Sequence, residues 1–444
     1  MPRKVIAVIP LLLHLVTNGD SRVNGPQRLL VEADRLAMLS NWPEAAPLYS
    51  QAESLFRQFG DQRNALNAWL GYLWAMADSG VSSAISQEIT AYLADPPVKS
   101  DAQLRLHALV AKAALDRNAN EQAARGPWKE ILGLATVLGD KRWESRAKAE
   151  IGQILYMDGN IKSATGMFRD AIVSQYLHLD FGAAVYYTAM VGNGFVETGQ
   201  PEAGLQYSDI VLRVSHLVPD LGFPFLAYQG KARALFALGR NAEGKAVLDV
   251  ALRRAREDRN NFALAQLLVV SGTDAAAANP DNAIRDLKEA NEISEKNGFH
   301  HVFAWSAVEL ASAYRDIGQL DAAERLASKA VGVMRELEDV YHLPQHLSLL
   351  ANLESSRGNF DRADKLYSEA TDVMNGLLVN VVRRQLKSSL IATLSDAYVD
   401  HFSWPQPNSP ISLRRTRSLK KRAGVPLLIR CAVSRKAYPH LPMR

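Results

Sequence analysis

Cysteine is nearly missing from this chain, the single one being Cys431. That excludes an intrachain disulfide and a multi-thiolate zinc site, and leaves residues 1–430 with no cysteine nucleophile. Acidic residues vanish after Asp400: His401 to Arg444 holds ten Lys or Arg and no Asp or Glu. Of the 51 basic and 47 acidic residues, the first 400 therefore hold 41 and 47, a net charge of −6. The formal +4 of the whole chain belongs to its end, so the body has no general attraction to polyanions. Long apolar runs are lacking too. The run from Val5 to Val16 is too short to cross a bilayer, and no transmembrane span is expected. Nor does the body contain alternating apolar stretches bounded by turn signals, which speaks against strands.

Arg3 and Lys4 ahead of the Val5–Val16 run give residues 1–25 the layout of a signal peptide or a disordered leader. Pro10 and His14 interrupt the run, and no small-x-small cleavage motif follows. We therefore expect the cytoplasm rather than export.

What is present is a repeat. "GQILYMDGNIKSATGMFRDAI", "ASAYRDIGQLDAAERLASKAV" and "ANLESSRGNFDRADKLYSEAT" superimpose, with small residues at Gly152, Gly159, Ala164 and Ala171 in the first. The second has Ala311, Gly318, Ala323 and Ala330, and the third Ala351, Gly358, Ala363 and Ala370. The residue after the turn can be followed through Ala45, Ala84, Ala124, Ala164, Gly204, Gly244, Ala283, Ala323 and Ala363, at intervals of 39 or 40. Asp61, Asp101, Asp140, Asp180, Asp220, Asn260, Asn297 and Asp339 mark the junctions and suit helix caps.

Apolar residues three and four apart, as in "AERLASKAVGVM", signal amphipathic helices. Two antiparallel helices per repeat follow, with small residues letting backbones approach. One pair cannot bury its own apolar face, so the pairs must stack. The expected fold is all-α: a right-handed α-solenoid of about nine helix pairs with a period near 40 residues. The array is expected over 26–376, an additional helix over 377–402, and a basic, proline-containing disordered tail over 403–444. Tyr72 and Lys112 stand where the pattern asks for small residues, and Ile131 replaces an alanine, so the early repeats are degenerate.

The small–Gly–Ala–Ala pattern resembles the tetratricopeptide repeat, although the period lies nearer that of HEAT or armadillo arrays. "EADRLAMLSNWPEAAPLYSQAESLFRQFGDQRNAL", "GFPFLAYQGKARALFALGR" and "SSLIATLSDAYVDHF" extend the likeness from about Pro26 to Phe402. Together they resemble bacterial tetratricopeptide arrays that precede a caspase-like CHAT domain. That resemblance would imply a His–Cys peptidase domain after the array, and none follows here. Pro405, Pro407 and Pro410 instead interrupt a helical register at the point where the family continues. This implies a truncated or out-of-frame tail, and as an alternative function the remnant of such a protease.

Other candidate chemistry is weak. "RRTRSLKKR" could meet phosphates but lacks interleaved aromatics, which argues against nucleic-acid binding. Cys431 with His440 or His401 has no sheet to fix a dyad. His342 and His346 lie four apart around Pro344 with no close acidic partner, and are expected to be solvent-facing or capping residues. His300 and His301 sit at another junction and point in different directions. "VGNGFVETG" has neither a preceding strand nor a lysine, so Gly192 serves helix packing and no cofactor is expected. Trp42, Tyr49, Trp128, Phe168 and Tyr367 are assigned to the core.

There remains the concave face. In tetratricopeptide arrays the first helices line it, at one residue after the small position and about a turn to either side. That register selects Gln153, Tyr156, Asn193, Gln229, Arg233, Phe236, Arg315 and Asn352. Amide and guanidinium donors of this kind suit an extended peptide. The sequence thus leads to a non-enzymatic scaffold that binds a protein or peptide on its inner face, without metal or catalytic residues.

Overall fold

The computed structural model describes residues 25–80, 83–120, 122–275 and 279–379. The leader, the basic tail, Cys431 and nearly all of the helix expected over 377–402 lie outside them. Among the described residues there are nineteen α-helices and no strand.

The helices fall into nine consecutive pairs, numbered here as repeats one to nine. The first three are α1 (Gly25–Met38) with α2 (Trp42–Gln58), α3 (Gln62–Met76) with α4 (Ser83–Ala94), and α6 (Ala102–Ala119) with α7 (Arg125–Leu138). A 3₁₀ turn (Ala77–Ser79) follows α3, and the short α5 (Pro96–Ser100) follows α4. Repeats four to six pair α8 (Lys141–Met157) with α9 (Ile161–Leu177), α10 (Phe181–Glu197) with α11 (Pro201–Leu217), and α12 (Phe225–Ala237) with α13 (Asn241–Glu257). Repeats seven to nine pair α14 (Asn261–Ala275) with α15 (Pro280–Asn297), α16 (His300–Asp316) with α17 (Leu320–Glu336), and α18 (Leu343–Ser356) with α19 (Phe360–Val379). This is an all-α solenoid of tetratricopeptide-like pairs, and the irregular stretch is repeat two, where Tyr72 breaks the pattern.

The junction residues start the first helices. Asp61, Asp101, Asp140 and Asp180 each accept a backbone N–H from the first turn that follows them. Asn260 does the same for Ala263, and Asp339 for Tyr341 and His342. Such a cap supports its helix by about 1 kcal/mol. Two junction residues do otherwise. Asn297 ends α15 and donates to the Ile293 carbonyl, while Asp220 takes a left-handed φ of 57° and binds elsewhere. Within pairs, the turn glycines such as Gly159 and Gly318 have φ of 75° and 79°, which residues with a Cβ resist.

Small residues set the spacing. Ala323, Ala327 and Ala330 of α17 are wholly buried against Ala351, Ala363 and Leu347 of the next pair. A Cβ on Gly192 would stand 2.9 Å from that of Tyr207, which explains this glycine by close packing of α10 on α11. Each fully buried leucine, such as Leu347 or Leu353, contributes roughly 1.5–3 kcal/mol.

The solenoid does not stay open. The turn inside repeat one lies on repeats five and six: Gly222 N–H donates to the Leu39 carbonyl at 3.0 Å, and Asn41 Nδ2 to the Asp220 carbonyl at 3.0 Å. Arg35 meets the Asp220 carboxylate at 2.8 Å. The turn of repeat two reaches repeat seven, where Asn261 Nδ2 donates to the Ser79 carbonyl at 2.9 Å. The turn of repeat four reaches repeat nine, with the Tyr156 and Tyr341 rings 4.4 Å apart. The offset is about five repeats each time. The chain therefore coils through one superhelical turn in five repeats, and its second turn rests on its first.

Candidate functional site

Closure turns the concave face into the wall of a central cavity of about 1850 Å³. First helices supply most of the wall, and its polar groups sit on these rigid rods or at the junctions that start them.

Three polar groups stand in an aromatic surround. Near the first turn, Arg146 of α8 grips Asp180 through Nε and Nη2, both at 2.7 Å, and Nη2 also donates to the Met38 carbonyl at 2.9 Å. The guanidinium lies 5.6 Å from the Trp74 ring and 5.4 Å from the Trp143 ring. Trp42 in turn packs edge-on to Trp74 at 4.9 Å. Beside it, Glu150 accepts from Tyr187 Oη at 2.8 Å and from Arg117 at 3.2 Å. Burial, and then the Glu150 charge, hold the Tyr187 hydroxyl far above its ordinary range, so it stays a donor.

In the middle of the wall, Arg233 of α12 donates to Glu197 at 3.0 Å and to Asn193 Oδ1 at 3.5 Å. Asn193 Nδ2 reaches the Leu226 carbonyl at 3.0 Å and the Ala189 carbonyl at 3.2 Å. Arg233 also lies 5.7 Å from the Trp305 ring centre. At the far end, His301 Nε2 and His342 Nδ1 both meet Asp339 Oδ2 at 2.7 Å. Burial would push the Asp339 carboxyl up, but His342 and His301 hold it well below its usual range. For His342, burial works against protonation, and the Asp339 charge and hydrogen bond outweigh it, raising its pKa.

Of the eight residues selected by the repeat register, Gln153, Tyr156, Asn193, Gln229 and Arg233 line the cavity. Three stand outside it. Phe236 packs over Gly244, whose Cβ would lie 2.5 Å from its ring. Arg315 is held at the surface by Asp316 at 2.8 Å and Ser312 at 3.0 Å. Asn352 accepts the Tyr367 hydroxyl.

Two histidine expectations need correction. His342 has its acidic partner in Asp339, three residues earlier, because the junction turn folds the carboxylate back to cap its own helix. His346 is neither solvent-facing nor a cap: it is 4 % exposed, and burial pushes it down to about 4. Of the aromatics assigned to the core, Tyr49, Trp128, Phe168 and Tyr367 are buried, while Trp42 is half-buried at the cavity rim. Arg146, Glu150, Trp74, Trp305 and Asp339 carry the polar geometry and were not selected. Arg146 lies six residues before the small position of its helix, outside the register used.

No family model matches the chain, and no curated protein is similar to it in sequence. Solved structures are similar in shape. A Rap protein complexed with competence and sporulation factor is 14% identical, covering 85% of this chain and 99% of its own, with a TM-score of 0.48. Yeast Tom70 is 12% identical, covering 85% and 96%, with a TM-score of 0.39. A signal-transduction ATPase with a tetratricopeptide repeat sensor, from Pyrococcus horikoshii, is 12% identical at a TM-score of 0.40. It covers 81% of this chain and 53% of its own length.

Proposed function

We propose that this chain is a non-enzymatic binding scaffold whose central cavity takes an extended segment of a protein or peptide. The observation that carries this reading is the Asn193–Arg233–Glu197 group set in an aromatic wall around about 1850 Å³ of space. Pockets for small ligands usually occupy about 300–1,000 Å³, so this one is suited to a larger guest. Its lining matches a peptide. Aromatic rings such as Trp305 and Tyr207 offer apolar contact to side chains. Amide and guanidinium groups such as Gln229 and Arg233 offer hydrogen bonds to a main chain.

The test is selection of a displayed random-peptide library on the full-length protein, followed by titration calorimetry of the enriched sequences. A related family of peptides should emerge, and its members should bind the Arg233→Ala and Gln229→Ala variants at least about tenfold more weakly, as loss of a hydrogen bond that leaves its partner unsatisfied implies. Enrichment without any shared sequence, or binding that both variants leave unchanged, refutes a peptide site in this cavity.

A further inference from the structure

We propose that His301, Asp339 and His342 form a binding site for one divalent transition-metal ion of the zinc type. The proposal is independent of the peptide reading. The three residues come from two repeats: His301 from the first turn of α16, and Asp339 and His342 from the junction leading into α18. Their ligand atoms all lie within 4.8 Å of one another. Two imidazole nitrogens and a carboxylate oxygen are a donor set that zinc and its neighbours in the first transition row accept.

The cluster is held in place before any ion arrives. Asp339 is fully buried, and its Oδ1 accepts the Tyr341 N–H at 3.1 Å and the His342 N–H at 3.0 Å. These bonds aim Oδ2 at the two rings and leave it as the shared acceptor. The rings stand edge to face, with centres 5.3 Å apart, and His301 Nε2 and His342 Nδ1 converge on the same carboxylate oxygen. The contacts to Oδ2 are now 2.7 Å, the length of hydrogen bonds. A tetrahedral ion with arms of 2.0–2.1 Å separates its ligand atoms by about 3.3 Å, so each ring need retreat by only several tenths of an ångström. Both rings are about a quarter exposed and border the central cavity, which gives an ion an entry path and an open coordination position there.

An ordinary hydrogen-bonded His–Asp–His network makes a different demand. It needs a proton on each nitrogen that faces Oδ2, whereas metal binding needs both nitrogens bare, each ring proton moving to the far nitrogen of a neutral ring or leaving a protonated one. The two states therefore respond oppositely to acid. Ion affinity should fall as pH drops below 7, while the hydrogen-bonded network strengthens.

The experiment is a titration of the full-length, metal-stripped protein with Zn²⁺ against a competing chromophoric chelator at pH 7.5. It is repeated with Co²⁺, whose visible absorption reports a tetrahedral nitrogen–oxygen site. One equivalent should bind. His301→Ala and His342→Ala should each weaken binding at least about tenfold, the loss that even a supporting partner of a metal ligand incurs. His301→Gln, at a partly exposed position, serves if the alanine variants unfold. One equivalent of zinc should raise the melting temperature of the wild type and leave that of His301→Gln unmoved. Absence of stoichiometric binding, or binding that survives in the His301→Gln/His342→Gln double variant, overturns the proposal.

Discussion

Replacing Arg146 by alanine should cost this protein about 3–5 kcal/mol, because it removes one partner of a buried ion pair and strands the other. The magnitude rests on geometry. The Arg146 side chain is 9% exposed and the Asp180 carboxylate 0%, joined by two bonds of 2.7 Å. Arg35→Ala is the control. It breaks the bridge from Arg35 to Asp220, which also joins the two superhelical turns, but both side chains are more than a third exposed and the expected loss is about 0–1 kcal/mol. Urea denaturation monitored by tryptophan fluorescence measures the difference. Because a solenoid can unfold in segments, native-state hydrogen exchange should accompany it. The Gly222 N–H that donates to the Leu39 carbonyl reports closure directly, and its protection should fall in Arg146→Ala, since Arg146 also holds the neighbouring Met38 carbonyl. An Arg146→Met/Asp180→Leu pair should recover the part of the loss due to the stranded charge, because a buried ion pair adds little over well-packed apolar residues, but not the roughly 1 kcal/mol of the Asp180 cap on Ala183. If Arg146→Ala proves as mild as Arg35→Ala, or leaves Gly222 protected, the clamp is not what keeps the superhelix closed.

Glycines give a second comparison. A Cβ on Gly182 would collide with the Met38 carbonyl, so Gly182→Ala should destabilise by about 1–3 kcal/mol in thermal melts. Gly332, inside α17 with open space around it, should instead tolerate alanine and gain about 0.5–1 kcal/mol. Acid stability offers a third test. The folded pKa of His346, about 4, lies below its unfolded value of 6.5. The unfolded chain therefore takes up the proton first, and stability contributed by neutral His346 is complete above pH 6.5 and is lost as pH falls toward 4. That shift corresponds to about 3 kcal/mol. His107, also lowered to about 4 by burial, adds in the same direction. Asp34 acts oppositely: burial raises it to about 6, so its contribution is present below pH 3.8 and lost as pH rises through 6. His346→Leu should flatten the slope of urea midpoint against pH between 6.5 and 4. An unchanged slope would show that the histidine is not buried as a neutral ring.

The helix pairs were legible because each depends on local signals: an alanine or glycine every 39 or 40 residues, a glycine at the turn, a carboxylate at the junction. The superhelix was not, because its pitch comes from a small rotation at each repeat interface, summed over five of them. Asp220 shows the consequence. At the junction it reads as another cap, and only the coiling of the chain makes it the anchor for Arg35 and Asn41 of repeat one. Arg146 stands near a helix start, outside the register, and only the coiling that brings Met38 of repeat one and Trp74 of repeat two against it completes its buried surround. The same summation explains why the cavity register succeeded only in part. Gln153, Asn193 and Arg233 lie in repeats four to six, whose first helices line the cavity along most of their length. In repeats eight and nine only the N-terminal parts of the first helices reach it, through residues such as Trp305 and Gln345, and Arg315 and Asn352 stand further along. The histidines follow this logic at shorter range. Asp339 lies only three residues before His342, but His301 is 38 residues before Asp339, close to one full repeat. Residues that far apart meet at the starts of adjacent first helices, so a ligand set in a solenoid is found by asking which side chains recur one period apart. At that spacing the Asp140–Asp180–Asp220 line of junction acids continues to Asp339, and His301 stands one residue inside the helix start one period earlier, within reach of it.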